Sequence, residues 1–346
     1  MLMFGVSQAE SLLFSPLQMS YSESDPAKNQ TIADGIILVG FSFLHEKQII
    51  LFLVLLVLYL VILLGNLFVI LLIKLNPSLQ IPMYFFLVNL SFLDIGYITS
   101  VIPQLLVHLL EEQKTISLVG CAVQMFFLST MDLAESCLLT AMAYDRYVAI
   151  HSPLQYTTIM SSRTCLLLAG ASWFTGISVQ IIQTTWIFSL PFCGSHRIHH
   201  FFCDIPVVLD MACADTSKND IMLLIMVFIT CPFLLILLSY ICIITTILRL
   251  PSAEGRRKAF STCSSHLMVV TFYYGAGYFG SLVPKSTSTL ERDLMISLVN
   301  TIVIPVSHLL IYTLRNKEVK GAFVKTVEKS IFAHNWRNQR MRTRVR

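Results

Sequence analysis

The sequence predicts an all-α membrane protein, a bundle of seven transmembrane helices followed by a short amphipathic cytoplasmic helix. Three observations predict it. Hydrophobic residues fill 55% of the 346 positions and charged residues only 13%, with a mean hydropathy of +0.72; that leaves too little charge to cover a soluble surface. The charges are also clustered, so long stretches carry none or nearly none. Those stretches do not alternate apolar and polar residues as barrel strands do. In hydrocarbon they must therefore satisfy their backbone as helices.

Residues 48–73 carry no charge, and Asp94 alone interrupts the stretch between Lys74 and Glu111. Residues 164–196, 221–248, 259–284 and 294–314 are uncharged, and residues 117–144 are apolar apart from Asp132 and Glu135. Each run reaches the roughly 20 residues a helix needs to cross the hydrocarbon. The expected spans are 49–73, 83–108, 119–148, 164–188, 221–249, 259–284 and 294–314. Three parts follow: an extracellular segment 1–48, a transmembrane domain 49–314, and a cytoplasmic helix with a basic tail over 315–346. Within the last part, Val319, Phe323 and Val327 recur every four residues among lysines. That pattern predicts a helix lying on anionic headgroups.

Basic residues set the orientation. With the N-terminus outside, only Lys28, Lys47, Lys114, Arg197, Lys218, Lys285 and Arg292 of the 24 lysines and arginines fall outside. Positive charge retained on the inner side predicts an extracellular N-terminus and a cytoplasmic C-terminus. The first 20 residues have neither a basic start nor a long apolar centre, so the first span itself is expected to direct insertion. Asn29-Gln30-Thr31 is then a glycosylation acceptor on the outer side, whereas Asn89-Leu90-Ser91 falls within the second span.

Nine cysteines divide by location. Cys137, Cys165, Cys231, Cys242 and Cys263 lie in spans and read as small apolar packers. Cys121, Cys193, Cys203 and Cys213 fall on the oxidising outer side, where two bridges in any of three connectivities are expected. The competing reading is a metal site, because His196, His199, His200 and Cys203 cluster in one loop.

Polar residues inside spans are costly and usually face the bundle interior. Here they are Asn66, Asp94, Asp132, Glu135 and His308. Asp132 and Glu135 share a helix face, and Arg146 continues it three turns on. Asp145 and Arg146 adjoin and can pair as a latch. Gly275, Gly277 and Gly280 match the spacing of a nucleotide-binding loop, but they sit in a membrane helix rather than after a strand. No catalytic constellation is visible, and the chain does not read as an enzyme.

MAYDRYVAIHSPLQY at 142–156 resembles the inner end of the third helix in odorant receptors of the rhodopsin-like, G-protein-coupled superfamily. Gly65-Asn66, PMYFFLVNLSFLD (82–94), HFFCD (200–204), SY (239–240), KAFSTCSSHL (258–267) and IYTLRNKEVKGAF (311–323) resemble further signatures of that family, in the family's order. The likeness covers residues 35–325. It implies a plasma-membrane receptor that binds a small volatile ligand and activates a stimulatory G protein, raising cAMP. It implies bridges from Cys121 to Cys203 and from Cys193 to Cys213. Asp94 and Glu135 would form a carboxylate pair able to hold a sodium ion. Asp145, Arg146, Tyr240, Lys258 and Ser261 would serve the G protein, and Leu128, Met131, Asp132, Tyr274, Tyr278 and Ser281 the ligand.

The chain departs from the family at three places. His151 stands where a cysteine is usual, and Asp132 where a small or neutral residue is. His308-Leu309 replaces the usual Asn-Pro, which should straighten the seventh helix. His308 is also expected to pair with Asp94, holding the resting arrangement. The rival readings are a rhodopsin-like receptor for another ligand class, a receptor whose signalling is impaired by His308-Leu309, and a channel or transporter. The last would need two matched halves with broken helices, which the chain lacks.

Overall fold

The computed structural model describes residues 35–111, 114–192, 197–213, 215–249, 251–282, 290–314, 318–322 and 324, with the side chains of 42, 45, 46, 215–226, 262, 276–282, 290 and 312–314 outside that description. They belong to the compact unit Gly35–Arg346. Asn29 and the basic tail lie outside the described residues.

Seven long helices are present among them: α1 Gln48–Leu75, α2 Pro82–Leu110, α3 Leu118–His151, α4 Ser162–Phe188, α5 Asp215–Leu248, α6 Ala253–Leu282 and α7 Leu290–Leu314. By length and composition, α1 to α5 and α7 are each able to cross a membrane. The helices correspond to the seven expected spans but overshoot several. α5 begins at Asp215 rather than 221, and α6 at Ala253 rather than 259, ahead of Arg256, Arg257 and Lys258. Charge marks where hydrocarbon ends, whereas backbone hydrogen bonding continues into the polar region.

Local chemistry sets several ends. Ser117 Oγ accepts from Gly120 N at 3.0 Å and Ser161 Oγ accepts from Thr164 N at 3.3 Å, capping α3 and α4. Pro82 occupies the first turn of α2, where its missing N–H costs nothing. Pro103, Pro232 and Pro305 lie inside α2, α5 and α7. α7 is therefore not proline-free: Pro305 removes the bond to the Thr301 carbonyl one turn before His308.

α3 is the central helix, packed against α2, α4, α5 and α6. Gly176 of α4 permits a close approach to α3, because a Cβ there would stand 2.8 Å from the Thr130 carbonyl. Asn89 also ties helices together: its Nδ2 donates to Phe85 O at 2.9 Å and its Oδ1 accepts from Trp173 Nε1 of α4 at 3.2 Å. Apolar residues such as Ile49, Leu53, Val57 and Leu64 on α1 and Phe174 and Ile182 on α4 remain exposed. That surface has a low cost only in lipid.

One end of the bundle carries a small sheet not foreseen in the sequence. β1 (Ile36–Leu38) lies between β2 (Thr115–Ile116), antiparallel, and β3 (Arg197–Ile198), parallel. Ile36, Leu38, Ile116 and Ile198 are buried in one cluster with Cys121 and Cys203. At the far end, residues 318–322 are helical, and Val319 is only 3% exposed within the main core cluster. Tyr84 OH donates to Glu318 Oε2 at 2.9 Å. Val319 thus packs on the bundle, on the face of this helix opposite to the one expected to carry lysines toward the headgroups.

Candidate functional site

Cys121 at the start of α3 is bonded to Cys203 in the loop after α4. Cys213 is also disulfide-bonded; Cys193 lies outside the described residues, although Phe192 bridges Ala212 and Cys213 N donates to Pro191 O at 2.9 Å. The bridge to Cys121 removes Cys203 from the metal reading of this loop. His200 is stacked on Phe201 at 4.7 Å and meets Phe202 edge-on at 4.4 Å. Burial drives its pKa down to about 4, against a raising contribution from the Phe202 backbone. His199 is exposed, and His196 lies outside the described residues.

Below this loop are two cavities, of about 220 and 350 Å³. Leu128, Asp132 and Tyr274, which the family resemblance implies as ligand residues, line the larger. Met131 lines neither: its sulfur fills the space beside Gly96 on α2, 2.9 Å from where a Cβ would stand. Tyr278 and Ser281 fall outside the described side chains. The sequence reading missed Tyr97, Phe202, Asp204, Tyr273, Asn300 and Thr301, all of which line the larger cavity. Tyr273 OH lies 2.9 Å from the Asp132 carbonyl and 3.0 Å from its Oδ1, while Tyr274 OH and Ser136 Oγ are 2.7 Å apart. Its position beside Tyr274 was the available signal for Tyr273. Asp204 was visible in the HFFCD string, but nothing local showed that the loop turns it inward.

Midway along the bundle, Asp94, Glu135 and His308 meet, all buried. His308 Nδ1 lies 2.9 Å from Asp94 Oδ1, and its Nε2 lies 3.4 Å from Glu135 Oε1. Both neighbours of the ring are acceptors, so both nitrogens are best used as donors, which is the imidazolium form. The second contact is a charge interaction, because Nε2 and Oε1 do not complete a hydrogen bond. These residues do not fit a sodium ion between the carboxylates. The imidazole stands there, and its ring nitrogens address the oxygens a hard cation would need.

At the far end, Arg146 Nε donates to Asp145 Oδ2 at 3.0 Å, with Nη2 joining the same oxygen. Tyr156 OH donates to Asp145 Oδ1 at 2.7 Å, so the carboxylate is held from both sides. Tyr240 is buried against α6, with its OH 2.8 Å from His266 Nδ1. His266 Nε2 lies 3.1 Å from the Leu139 carbonyl of α3. That carbonyl needs a donor, so Nε2 carries the proton and Nδ1 accepts from Tyr240. Lys258 and Ser261 lie on the exposed face of α6. Tyr240 therefore does not share an open cleft with them in this arrangement.

The olfactory receptor family model matches residues 55–330. The chain belongs to the olfactory receptor family. It is 49% identical to human olfactory receptor 10A4 over 307 residues, 88% of this chain and 98% of that protein. Human olfactory receptor 10C1 is 47% identical over 305 residues, covering 88% and 98%. Mouse olfactory receptor 5AP2 is 47% identical over 303 residues, covering 86% and 95%. The protein is thus a multi-pass plasma-membrane receptor of the rhodopsin-like superfamily, not an enzyme.

Proposed function

We propose that this receptor binds a small odorant in the cavities at the disulfide end and activates a stimulatory G protein at the opposite end, raising cAMP. The end bearing the disulfide is extracellular and the end bearing Arg146 cytoplasmic, in keeping with the distribution of basic residues. The observation that carries this reading is the continuity of α3. One helix lines the cavity with Leu128 and Asp132 and ends in the clamped Asp145–Arg146 pair. A ligand with higher affinity for an arrangement in which that clamp is open shifts the receptor toward it. Release of Arg146 and outward movement of α6 would break the Tyr240–His266–Leu139 link. Tyr240, Lys258 and Ser261 would then face the G protein.

A cAMP reporter in cells expressing the full chain, screened against a broad odorant panel, tests the reading. A dose-dependent rise that requires the stimulatory G protein is expected. A ligand-evoked current that persists without any G protein would overturn it.

A further inference from the structure

Both cavities share Ser129, Asp132, Asp204, Ile229 and Tyr273. Two carboxylates therefore look into the same space, one from α3 and one from the loop after Cys203. Each commits one oxygen to the protein. Asp132 Oδ1 accepts from Tyr273 OH at 3.0 Å, and Asp204 Oδ1 accepts from Ile205 N at 2.7 Å. Among the described residues no donor meets the second oxygen of either.

The rest of the lining sharpens the imbalance. Among the described lining residues neither cavity has a lysine, arginine or histidine. The polar neighbours are hydroxyls and amides; Gln180 Oε1 is buried without a partner, as is the amide nitrogen Gln183 Nε2 one turn on. Two like charges in one enclosed space oppose each other's ionisation. Burying either without a counter-charge is costly. One cation satisfies both.

We propose that the ligand is an organic ammonium ion, a primary amine carrying a small hydrocarbon body. The inference rests on the reading of these cavities as the odorant site. An ammonium group offers three donors and no acceptor, which suits the open oxygens of Asp132 and Asp204 together with Gln180 Oε1. Tyr97, Tyr273, Tyr274 and Phe202 supply aromatic faces of the kind that attract cations. Leu128, Ile229 and Ile304 offer the hydrocarbon body an apolar wall. A carboxylic acid would add a third negative charge, and an alcohol offers only one donor and no charge.

The test uses the full receptor with matched primary alkylamines, alcohols and carboxylic acids of equal chain length. Two readouts are taken: cAMP in cells, and thermal stabilisation of the purified receptor. Amines should be at least about tenfold more potent than the matched alcohols, roughly 1.4 kcal/mol of differential affinity. Acids should be inactive. Asp132→Asn should shrink the amine advantage to about threefold or less, and Asp204→Asn, which keeps an oxygen for the Ile205 N–H, should do the same. Amine stabilisation that depends on Asp132 without any cAMP response would uphold the ammonium site and refute the signalling reading. Robust responses to alcohols or acids with none to amines would do the reverse. Amines that neither stabilise nor activate, or Asn variants with unchanged ranking, would overturn the inference.

Discussion

Leu309 of α7 fills the notch that Gly65 leaves in α1, its Cδ2 lying 2.5 Å from where a Cβ on residue 65 would stand. Glycine in mid-helix is unfavourable by itself, so here its use is steric. The adjacent residue on α7, His308, reaches Asp94 on α2 and Glu135 on α3. Two consecutive side chains thus fasten α7 to three other helices.

Gly65→Ala should destabilise the receptor by about 1–3 kcal/mol, the usual penalty for overpacking. The same change combined with Leu309→Ala should cost less than the sum of the single changes, since the clash has been removed. Thermal unfolding of the four purified forms measures the coupling. Strict additivity would show that the two residues do not compete for space.

Removing His308 should expose the cost of the carboxylate pair. His308→Ala strips two buried acids of their shared cation and should cost about 3–5 kcal/mol. The parent receptor should melt at the same temperature in sodium chloride and choline chloride, whereas His308→Asn should become sodium-stabilised. The double change His308→Asn with Leu309→Pro should raise basal or maximal cAMP at equal surface expression, because α7 is then held less tightly. A parent protein already stabilised by sodium, or a double variant no more active, would refute this account.

The clamp on Asp145 makes opposite predictions for its two partners. Arg146→Ala should abolish agonist-dependent cAMP while the receptor still reaches the cell surface. Tyr156→Phe removes one hydrogen bond, typically about 1 kcal/mol. It should raise basal activity about fivefold, by loosening the hold on Arg146. Normal signalling by Arg146→Ala would remove the proposed role.

His200 sets an acid limit on the loop beneath the sheet. Its folded pKa of about 4 lies below the ordinary 6.5, so the unfolded chain binds the proton more readily. The stability contributed by the neutral ring is complete above about pH 6.5 and is lost as pH falls toward 4. Unfolding temperatures at pH 7.5 and pH 5 should therefore differ more for the parent than for His200→Asn. Equal acid sensitivity in both would exclude His200 as the cause.

Most of the architecture was legible because a bilayer imposes one length and one composition on every span. The stripe of Asp132, Glu135 and Arg146 was legible too, since helical periodicity alone places them on one face. What escaped depends on contacts between distant segments. The turn of Asp204 into the cavity follows from the Cys121–Cys203 bridge and the Asp204 cap on Ile205, not from any local pattern. His308 was expected to reach Asp94, but its second approach, to Glu135, needs the third helix in place. Met131 fits the ligand-facing spacing, yet the vacancy at Gly96 draws it aside. β1 is three residues long and has no signature apart from its partners.

The order in which those partners arrive has a temporal consequence. Ile37 pairs with Thr115 on one side and Arg197 on the other. At roughly 5–20 residues per second, translation needs about 8–32 s to carry the chain from the first strand to the third. Cys203 emerges later still, 82 residues after the cysteine it oxidises with. Through that interval Ile36, Leu38 and Phe41, each almost fully enclosed in the finished receptor, have no lid over them. Four helices must be threaded before the first strand has both neighbours. A chain that ended within α4 would leave that leading hydrophobic segment without the strand and the bridged loop that cover it.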